Sequence, residues 1–435
     1  MSRGASDRTP TELSTRSVIV VGGGLVGLSC AYYLRLGGAE VTVIERERVG
    51  SGASRGNAGL VCPSMADPLP SPGIVREAAM SLLRSDSAFF VRARSLPRMA
   101  PFLVRFARRS TRTIYEQGLH ALAPLARATF ERYDELALDG IDVGEGREGY
   151  IIACASERSA REAREQMLRM GELGLASAPG PVLDGAGLQE IEPALGEGAA
   201  AGFIQPDERW VDPSRLIDGL EAHLRQAGVE VVEHAEVRGI RESARTVTVD
   251  ADGRGFKAKA AVIAGGIRSE ALCRSLGLPL GMRPGKGYSF SVHPEPMPAR
   301  PFYLVDGHAA ITPMGDWLRI AGTMEFDGTL DRFNPRRIDA IEAAARPYVR
   351  GVDWSLRADE WVGPRPMTPD GLPSIGRVPG RRRIYVAAGH NMLGVTLAPA
   401  TGKVVADLLL SGDPGIDLAH FAPGRFGPRR RRLAG

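Results

Sequence analysis

Three glycines near the start of the chain have the spacing of a phosphate-binding loop. Gly22, Gly24 and Gly27 form a G-x-G-x-x-G pattern that follows the apolar run 18–21 and precedes a helical pattern. In such a turn the first glycine permits a tight bend, the second lets the backbone approach a pyrophosphate, and the third lets the helix pack on the strand. The helix N-terminus adds N–H donors and partial positive charge. These residues predict a dinucleotide-binding site.

An acidic residue stands where the ribose of a dinucleotide is expected. Glu45 ends the second apolar strand, 18 residues after Gly27. A carboxylate at this point accepts hydrogen bonds from both ribose hydroxyls and disfavours a 2′-phosphate. The pattern argues against NADP and leaves FAD and NAD open.

Two further segments favour FAD over NAD. An NAD dehydrogenase usually continues into regular sheet and helix after this unit, whereas residues 50–61 form the small-residue loop "GSGASRGNAGLV". Such a loop can lie under a planar ring and donate backbone N–H groups to it. Residues 388–396 precede the last predicted helix, so their N–H groups can face a ring that gains negative charge on reduction. A flavin is such a ring.

The elements that position these segments alternate between strand and helix. Strand 18–21, helix 25–36 and strand 40–44 form a βαβ unit, which implies a parallel sheet. The parallel-sheet pattern returns later, in a helix at 214–227, strands at 230–233, 247–249, 261–264 and 384–387, and a helix from about 398 to 410.

A different pattern lies between the parts of that sheet. Residues 288–326 alternate as strands of an antiparallel sheet, with a hairpin turn at 314–317. Residues 85–140 and 159–175 are predicted to be helical, although Pro97 and Pro101 argue against one continuous helix there.

The predicted fold class is α/β, with a Rossmann-like FAD-binding domain interleaved with a substrate domain of antiparallel sheet plus helices. The FAD-binding domain is expected to be discontinuous. The predicted segments are a disordered leader (1–16), FAD-binding domain (17–86, 208–281 and 362–424), substrate domain (87–207 and 282–361) and a basic tail (425–435).

Composition and charge limit the possible partners and location. The 55 basic and 51 acidic residues nearly balance, which argues against nucleic acid. No apolar run is long enough to span a membrane, and the first residues lack a secretory apolar stretch, so we expect a cytoplasmic protein. Seven arginines between residues 88 and 112, and four at 429–432, suggest peripheral contact with the inner membrane face; a solvated helix face and a disordered tail are the alternative. The four scattered cysteines predict buried thiols and no metal site.

The chain resembles the FAD-dependent D-amino acid oxidase superfamily, most closely the bacterial D-amino acid dehydrogenases and next the glycine and sarcosine oxidases. The motifs that carry the resemblance are "VVGGGLVGLSCAYYL", "SGASRGNAG", "RPGKGYSF", "WVGPRPMTPDGLPSIGR" and "AAGHNMLGVTLAPATGKVVADLL". The resemblance implies FAD contacts in three groups: at the phosphates Gly22, Gly24, Leu25, Val26 and Gly27; at the adenosine Glu45, Arg46 and Val237; and at the ring Ser54, Asn57, Ala58, Gly59, Gly389, His390, Leu393, Gly394, Val395 and Thr396.

The resemblance also implies substrate-binding and catalytic residues. Arg365 is expected to bind the substrate carboxylate, because a planar guanidinium makes two parallel bonds to it; an ion pair with Asp370 is the alternative. Tyr288 offers a hydroxyl to the same carboxylate or packs in a core. His390 assists proton removal or only supports the ring. Lys286 approaches the flavin or lies at the surface.

Two departures refine the comparison within the superfamily. Met392 replaces an arginine of the glycine oxidases, which favours the dehydrogenase branch, and Gly363 replaces the cysteine to which sarcosine oxidases attach FAD. The resemblance therefore implies non-covalent FAD.

The activity that the resemblance implies is oxidation of the C–N bond of a small amino acid, with a D-amino acid as the expected substrate, by hydride transfer to flavin N5. The resulting imine hydrolyses to a 2-oxo acid and ammonia, and the electrons pass to oxygen or a quinone. The alternatives are a glycine, sarcosine or D-proline-type amine oxidase, or an FAD subunit of a multi-subunit amine dehydrogenase.

Overall fold

The computed structural model describes residues 16–75, 89–144 and 146–427. Most of the predicted leader (1–15) and residues 428–435 of the predicted tail lie outside them. The described strands are β1 (Ser17–Val21), β2 (Glu40–Ile44), β3 (Leu60–Val61), β4 (Phe89–Val91), β5 (Tyr150–Cys154), β6 (Leu183–Asp184), β7 (Ala201–Gln205), β8 (Arg209–Trp210), β9 (Glu230–Val232), β10 (Val237–Glu242), β11 (Val247–Ala251), β12 (Arg254–Ala258), β13 (Ala260–Ile263), β14 (Arg283–Val292), β15 (Phe302–Leu304), β16 (Ala309–Met314), β17 (Trp317–Phe326), β18 (Ala358–Met367), β19 (Ser374–Arg377) and β20 (Ile384–Ala388). The described α-helices are α1 (Leu25–Leu36), α2 (Leu96–Arg109), α3 (Arg112–Arg127), α4 (Thr129–Leu138), α5 (Glu157–Glu172), α6 (Gly185–Ile191), α7 (Pro213–Gln226), α8 (Ser269–Ser275), α9 (Pro335–Ala345) and α10 (Gly394–Leu410).

A six-stranded sheet surrounds β1, in the order β19-β20-β13-β1-β2-β9. All its pairings are parallel except the one between β19 and β20. Because side chains alternate across a strand, Val18 and Val20 pack with α1, α7 and α10, whereas Ile19 and Val21 pack with the small antiparallel sheet β10-β11-β12. The predicted Rossmann-like layer is confirmed.

The predicted βαβ unit has the expected bounds at α1 and β2, but two other expectations were wrong. Residues 247–249 lie in the separate antiparallel sheet, because periodicity within one strand does not show the direction of its neighbours. The last helix begins at Gly394 rather than near residue 398. Gly394, Val395 and Thr396 are weak helix formers, so the first turn depends on burial rather than on propensity.

The second domain is built on a larger, mainly antiparallel sheet in the order β18-β14-β17-β16-β15-β5-β7-β6, with β4 also paired to β17. The predicted hairpin is confirmed: Met314 pairs with Trp317, and Gly315 has a φ of +62°, which suits glycine in such a turn. Ile338 and Ile341 of α9 cover one sheet face.

The predicted domain boundary at residue 362 cuts through strand β18, which pairs with β14 along its length. Pro364 and Pro366 both lie within this strand. However, β18 is the edge strand of its sheet, where a missing N–H donor is tolerated. Arg365 therefore belongs to the antiparallel sheet and not to the FAD-binding layer.

The arginine-rich segment is not one continuous helix, as expected, because strand β4 precedes α2 and Ser110 separates α2 from α3. Helix α2 runs through Pro101, and Pro97 lies in its first turn. Met99, Phe102 and Phe106 pack with Phe326 and Met367 of the antiparallel sheet. This apolar contact stabilises the helix despite the hydrogen bond that Pro101 cannot make.

Candidate active site

The glycine loop has the geometry that close approach of a phosphate group requires. Gly22 has a φ of +111°, and a Cβ there would lie 2.6 Å from the carbonyl oxygen of Ala264. A Cβ on Gly27 would lie 1.9 Å from the Gly22 carbonyl oxygen. Both positions exclude any side chain, and the loop leads directly into the N-terminus of α1.

Two polar side chains brace this loop. Glu45 Oε2 accepts a hydrogen bond from Gly23 N–H at 2.7 Å, and Oε1 accepts one from Glu47 N–H at 3.0 Å. Both oxygens keep further acceptor capacity for ribose hydroxyls. Ser54 Oγ accepts a hydrogen bond from Leu25 N–H at 3.2 Å. Ser54, which the resemblance assigned to the ring, therefore lies beside the glycine loop.

A cavity of about 1290 Å³ extends from the glycine loop to the antiparallel sheet. It exceeds the roughly 300–1,000 Å³ of an ordinary small-molecule pocket, as a dinucleotide with a substrate requires. The expected cofactor residues that line it are Gly22, Gly24, Leu25, Val26, Glu45, Arg46, Ser54, Asn57, Ala58, Val237, Gly389, His390, Leu393, Gly394, Val395 and Thr396.

Gly27 and Gly59 do not line the cavity and shape its walls instead. Gly27 permits the turn described above. Gly59 has a φ of +77°, a Cβ on it would lie 2.2 Å from the Val211 carbonyl oxygen, and its N–H donates to Asn57 Oδ1 at 2.9 Å. Both glycines act through packing.

The N-terminus of α10 forms another part of the wall. Gly394, Val395 and Thr396 line the cavity in the first helical turn, where N–H groups have no intrahelical acceptor. The preceding turn is held by Asn391, whose Oδ1 accepts from Thr368 N–H at 2.8 Å and whose Nδ2 donates to the Gly389 carbonyl at 3.0 Å. This end of the cavity favours negative charge.

His390 is buried beside this turn, with its Nε2 3.0 Å from Thr401 Oγ1. Burial lowers the pKa of His390 to about 4, so the ring is neutral near pH 7. Such a ring is a weak proton acceptor. The geometry agrees with the supporting role for His390.

Arg365 points towards the cavity from β18. Its Nη1 donates to the Thr323 carbonyl at 2.6 Å and lies 3.8 Å from Met324 Sδ. Burial lowers the pKa of Arg365 to about 10, so the guanidinium is still charged near pH 7. No carboxylate among the described residues pairs with it, and Asp370 pairs with Arg425 at 2.7 Å instead. The alternative of an Arg365–Asp370 pair was therefore wrong.

Tyr288 packs in a core, which is the second of the two positions expected for it, whereas Lys286 occupies neither of its expected positions. The Arg365 guanidinium lies 2.4 Å from where a Cβ on Gly287 would be, so the neighbouring Tyr288 side chain leaves β14 on the opposite face. The Tyr288 hydroxyl donates to the buried carboxylate of Glu325. It is not directed at the ligand of Arg365, although the residue borders the cavity.

Lys286 is fully buried, and its Nζ lies 3.1 Å from Glu325 and 3.0 Å from Asp327. It also donates to the Arg332 carbonyl at 2.7 Å. Both expectations for Lys286, a flavin contact and a surface position, were wrong. The residues next to Lys286 in the sequence give no sign of its two acidic partners, which lie on β17 and in the loop after it.

Asp67 and Tyr303 are two of the polar cavity residues that sequence reasoning missed; Asp306, His308 and Asp331 are others. Asp67 follows a short turn with no chemical motif, so only the structure reveals it. Tyr303 could have been found from the alternation of β15: Phe302 and Leu304 are buried in the core beside α9, so Tyr303 must face the other side. Burial raises the pKa of Tyr303 to about 12, and the nearby Arg365 charge opposes that change.

The described residues also set limits on other kinds of site. They hold no group of three His, Cys, Asp or Glu side chains placed to bind a metal ion. The four cysteines are free and buried, as predicted. Among the helices of these segments, none has the length and apolar character that crossing a membrane requires.

A glycine loop at the N-terminus of α1, the Glu45 carboxylate beside it, and Arg365 in the same cavity with no carboxylate partner among the described residues are typical of a dinucleotide-dependent oxidoreductase. Residues 17–408 match the family model described as DAO, FAD dependent oxidoreductase. The chain belongs to this family and is an FAD-dependent oxidoreductase.

Similar proteins cover nearly the whole chain. It is 32% identical over 422 residues to a D-amino acid dehydrogenase of Methylobacterium nodulans, covering 94% of this chain and 99% of that one. It is 32% identical over 421 residues to a D-amino acid dehydrogenase of Rhodopseudomonas palustris, covering 94% and 97%. The crystal structure of glycine oxidase from Geobacillus kaustophilus is 28% identical, with a TM-score of 0.70, and the match covers 94% of this chain and 98% of that one.

Proposed function

We propose that the protein oxidises the C–N bond of a D-amino acid to an imine, which water hydrolyses to a 2-oxo acid and ammonia. The observation that carries the proposal is Arg365, a half-buried cation that lines the cofactor-sized cavity and has no carboxylate partner among the described residues. The D-amino acid dehydrogenases that resemble the chain support this substrate class.

The residues present fit FAD, because the glycine loop, Glu45 and the α10 N-terminus supply a phosphate cradle, ribose acceptors and donors for an electron-rich ring. Bound FAD would accept a hydride from the substrate carbon. We propose that it is held non-covalently. Gly363 carries no group able to form a covalent link, and the Cys62 thiol at the cavity is 3.8 Å from Thr396 Oγ1 with its pKa raised to about 12 by burial.

Arg365 would fix the substrate by its carboxylate. Its Nε and Nη2 have no acceptor among the described residues and remain accessible, whereas Nη1 is anchored on Thr323. Two donors in one plane match the two oxygens of a carboxylate. The Tyr303 hydroxyl, which shares the electrostatic environment of Arg365, would be a further donor.

Tyr288 and His390 are proposed as positioning residues. Tyr288 holds Glu325 in the buried cluster with Lys286, and this cluster anchors residues 327–332, among which Leu330 and Asp331 line the cavity. His390 holds the start of α10 through Thr401. Neither role involves proton transfer from substrate.

The test is an anaerobic titration of the purified flavoprotein with single D-amino acids, their L-isomers, glycine and sarcosine, followed by the flavin absorbance. Bleaching by D-isomers alone supports the proposal. Preferential bleaching by glycine or sarcosine would favour the amine oxidase alternative. A fully flavinylated protein that no amino acid bleaches contradicts the proposal and favours a subunit of a larger dehydrogenase.

The electron acceptor is proposed to be a membrane quinone, with oxygen as the alternative. Residues 89–115 contain seven arginines and no acidic residue. On α2, Arg98, Arg105 and Arg108 are exposed next to Val104, which is 48% exposed, and Phe89 at the preceding strand lines the cavity. This basic and partly apolar face suits an anionic membrane surface.

Vesicle sedimentation tests this contact. We expect binding to phosphatidylglycerol vesicles, little binding to phosphatidylcholine vesicles, and loss of binding when Arg98, Arg105 and Arg108 are all replaced by Gln. Equal binding of that variant to the anionic vesicles would refute the contact. Re-oxidation of the reduced protein by a soluble quinone, compared with air, identifies the acceptor.

A further inference from the structure

An unpaired carboxylate lies in the same cavity as Arg365. Asp67 lines the cavity between Met65 and Leu69, and it is only partly covered because this surface adjoins the cavity. Its Oδ2 accepts a hydrogen bond from the Tyr115 hydroxyl at 2.8 Å. No Lys, Arg or His among the described residues forms an ion pair with it. Burying a carboxylate without a cation beside it raises the free energy of the folded protein unless a ligand compensates the charge.

The groups that surround Asp67 come from α3, α5, β15 and its own segment. Tyr115 of α3 donates to it, and Gln166 of α5 holds Tyr115 through a 3.3 Å bond. Tyr303 of β15 and Cys62 of its own segment lie within electrostatic range. None of these groups is cationic near neutral pH.

Asp67 and Arg365 both act on Tyr303. The Asp67 charge raises the pKa of Tyr303 and the Arg365 charge lowers it, so the two opposite charges lie within electrostatic range of one phenol. An amino acid in solution carries the complementary pair, a carboxylate and an ammonium group on adjacent atoms. Of the charged residues that line the cavity, Arg365 and Asp67 are the two whose charges both act on Tyr303, and one suits each end of a zwitterion.

We propose that Asp67 binds the α-ammonium group of the substrate and accepts its proton. The inference deepens the proposed function and rests on it, since the amino acid must be held by Arg365. Asp67 would thereby be a catalytic residue, which no motif of the sequence indicated.

The proton step balances within the bound pair. One N–H bond of the ammonium breaks and its electron pair remains on nitrogen, while the proton forms an O–H bond with a carboxylate oxygen of Asp67. Nothing is oxidised or reduced in this step. The amine becomes neutral, as loss of hydride from the adjacent carbon requires. Burial raises the pKa of Asp67 to about 6, so it is ionised near pH 7 yet more basic than an ordinary aspartate.

Binding of two ligands of the same shape tests the charge contact without turnover. 2-Aminoisobutyrate is a zwitterion without a hydrogen on its α-carbon, and pivalate replaces its ammonium with a methyl group. Affinities for the FAD-loaded protein are measured by calorimetry. In Asp67→Asn we expect 2-aminoisobutyrate to bind about ten- to hundredfold more weakly and pivalate to bind as well as before or better.

Two variants separate this effect from a general loss of structure. Glu208→Gln is the matched control, because Glu208 is another buried carboxylate, its pKa is raised to about 8 by burial, and it bonds Ser64 without lining the cavity. We expect Glu208→Gln to bind 2-aminoisobutyrate and pivalate with unchanged affinity. Tyr115→Phe keeps the Asp67 carboxylate but removes the hydrogen bond from Tyr115, which lowers the pKa of Asp67. The acid limb of the pH profile of kcat/KM should therefore move to higher pH.

The outcomes separate the two proposals. If the normal protein binds neither ligand, the carboxylate site at Arg365 and with it the proposed function fail. If it binds pivalate but Asp67→Asn changes neither affinity, or weakens both equally, the role of Asp67 is refuted while that of Arg365 stands.

Discussion

Replacement of Arg365 by leucine removes the cation on which substrate binding is proposed to depend. The leucine keeps apolar contact with Met324 but offers no hydrogen bond. Two donors of the guanidinium face the cavity without a protein acceptor, so a bound carboxylate would lose two charge-assisted bonds. At about 1.5–3 kcal/mol for each, the loss is about 3–6 kcal/mol. Because about 1.4 kcal/mol corresponds to tenfold, kcat/KM should fall by about 10²- to 10⁴-fold.

The assay compares a D-amino acid with its amide, which lacks the carboxylate charge. The leucine variant should retain the flavin spectrum and lose far more activity towards the acid than towards the amide. Arg283→Leu is the matched control, because Arg283 lies on the neighbouring strand β14 and bonds the Met282 carbonyl outside the cavity. A leucine variant within about threefold of normal kcat/KM, or one that loses acid and amide activity equally, would refute the carboxylate clamp.

Three further perturbations follow from the packing of the site. Gly27→Ala places a Cβ 1.9 Å from the Gly22 carbonyl oxygen, so the purified variant should contain much less flavin per chain than the normal protein. The control is Gly239→Ala, where a Cβ meets nothing within 4 Å and the flavin content should be normal. Equal flavin content in the two variants would contradict this prediction. Lys286→Met leaves two buried carboxylates without their cation and should lower the free energy of unfolding in urea by about 3–5 kcal/mol, against less than about 1 kcal/mol for Lys403→Met at a half-exposed pair. Because the folded-state pKa of His390 is lowered to about 4, the unfolded chain binds more protons between pH 6.5 and 4 and stability falls as pH decreases through that range. In His390→Gln, the decrease in the free energy of unfolding between pH 6.5 and 4 should be smaller by up to about 3 kcal/mol. If the free energy of unfolding decreases equally with pH in the variant and the normal protein, this prediction is refuted.

The glycine loop and its flanking elements were predictable because their signals are local. Gly22, Gly24 and Gly27 act within one turn, and the bounds of α1 and β2 follow from apolar periodicity over neighbouring residues. The proposed cofactor residues between 389 and 396 could be named from the family resemblance, because they form a recognisable motif before the last helix.

The substrate end was less predictable because its contacts join distant segments. Arg365 was identified, but its separation from Asp370 depends on Arg425, which binds that carboxylate from 55 residues away. Lys286 was misjudged because its partners lie on β17 and in the loop after it. Asp67 carries no local pattern at all, and its importance arises only from the cavity it adjoins.

The position of β1 between β13 and β2 affects how the protein is synthesised. The phosphate loop leaves the ribosome early, whereas β13, β20 and α10 emerge hundreds of residues later. At about 5–20 residues per second, β1 waits for its neighbour β13, about 240 residues later, for about twelve seconds or longer. Helix α10 then packs so tightly on α1 that a Cβ on Gly402 would lie 2.5 Å from the Ser29 backbone. Chaperone protection during translation, followed by cofactor capture only after α10 has docked, is the expected order of maturation.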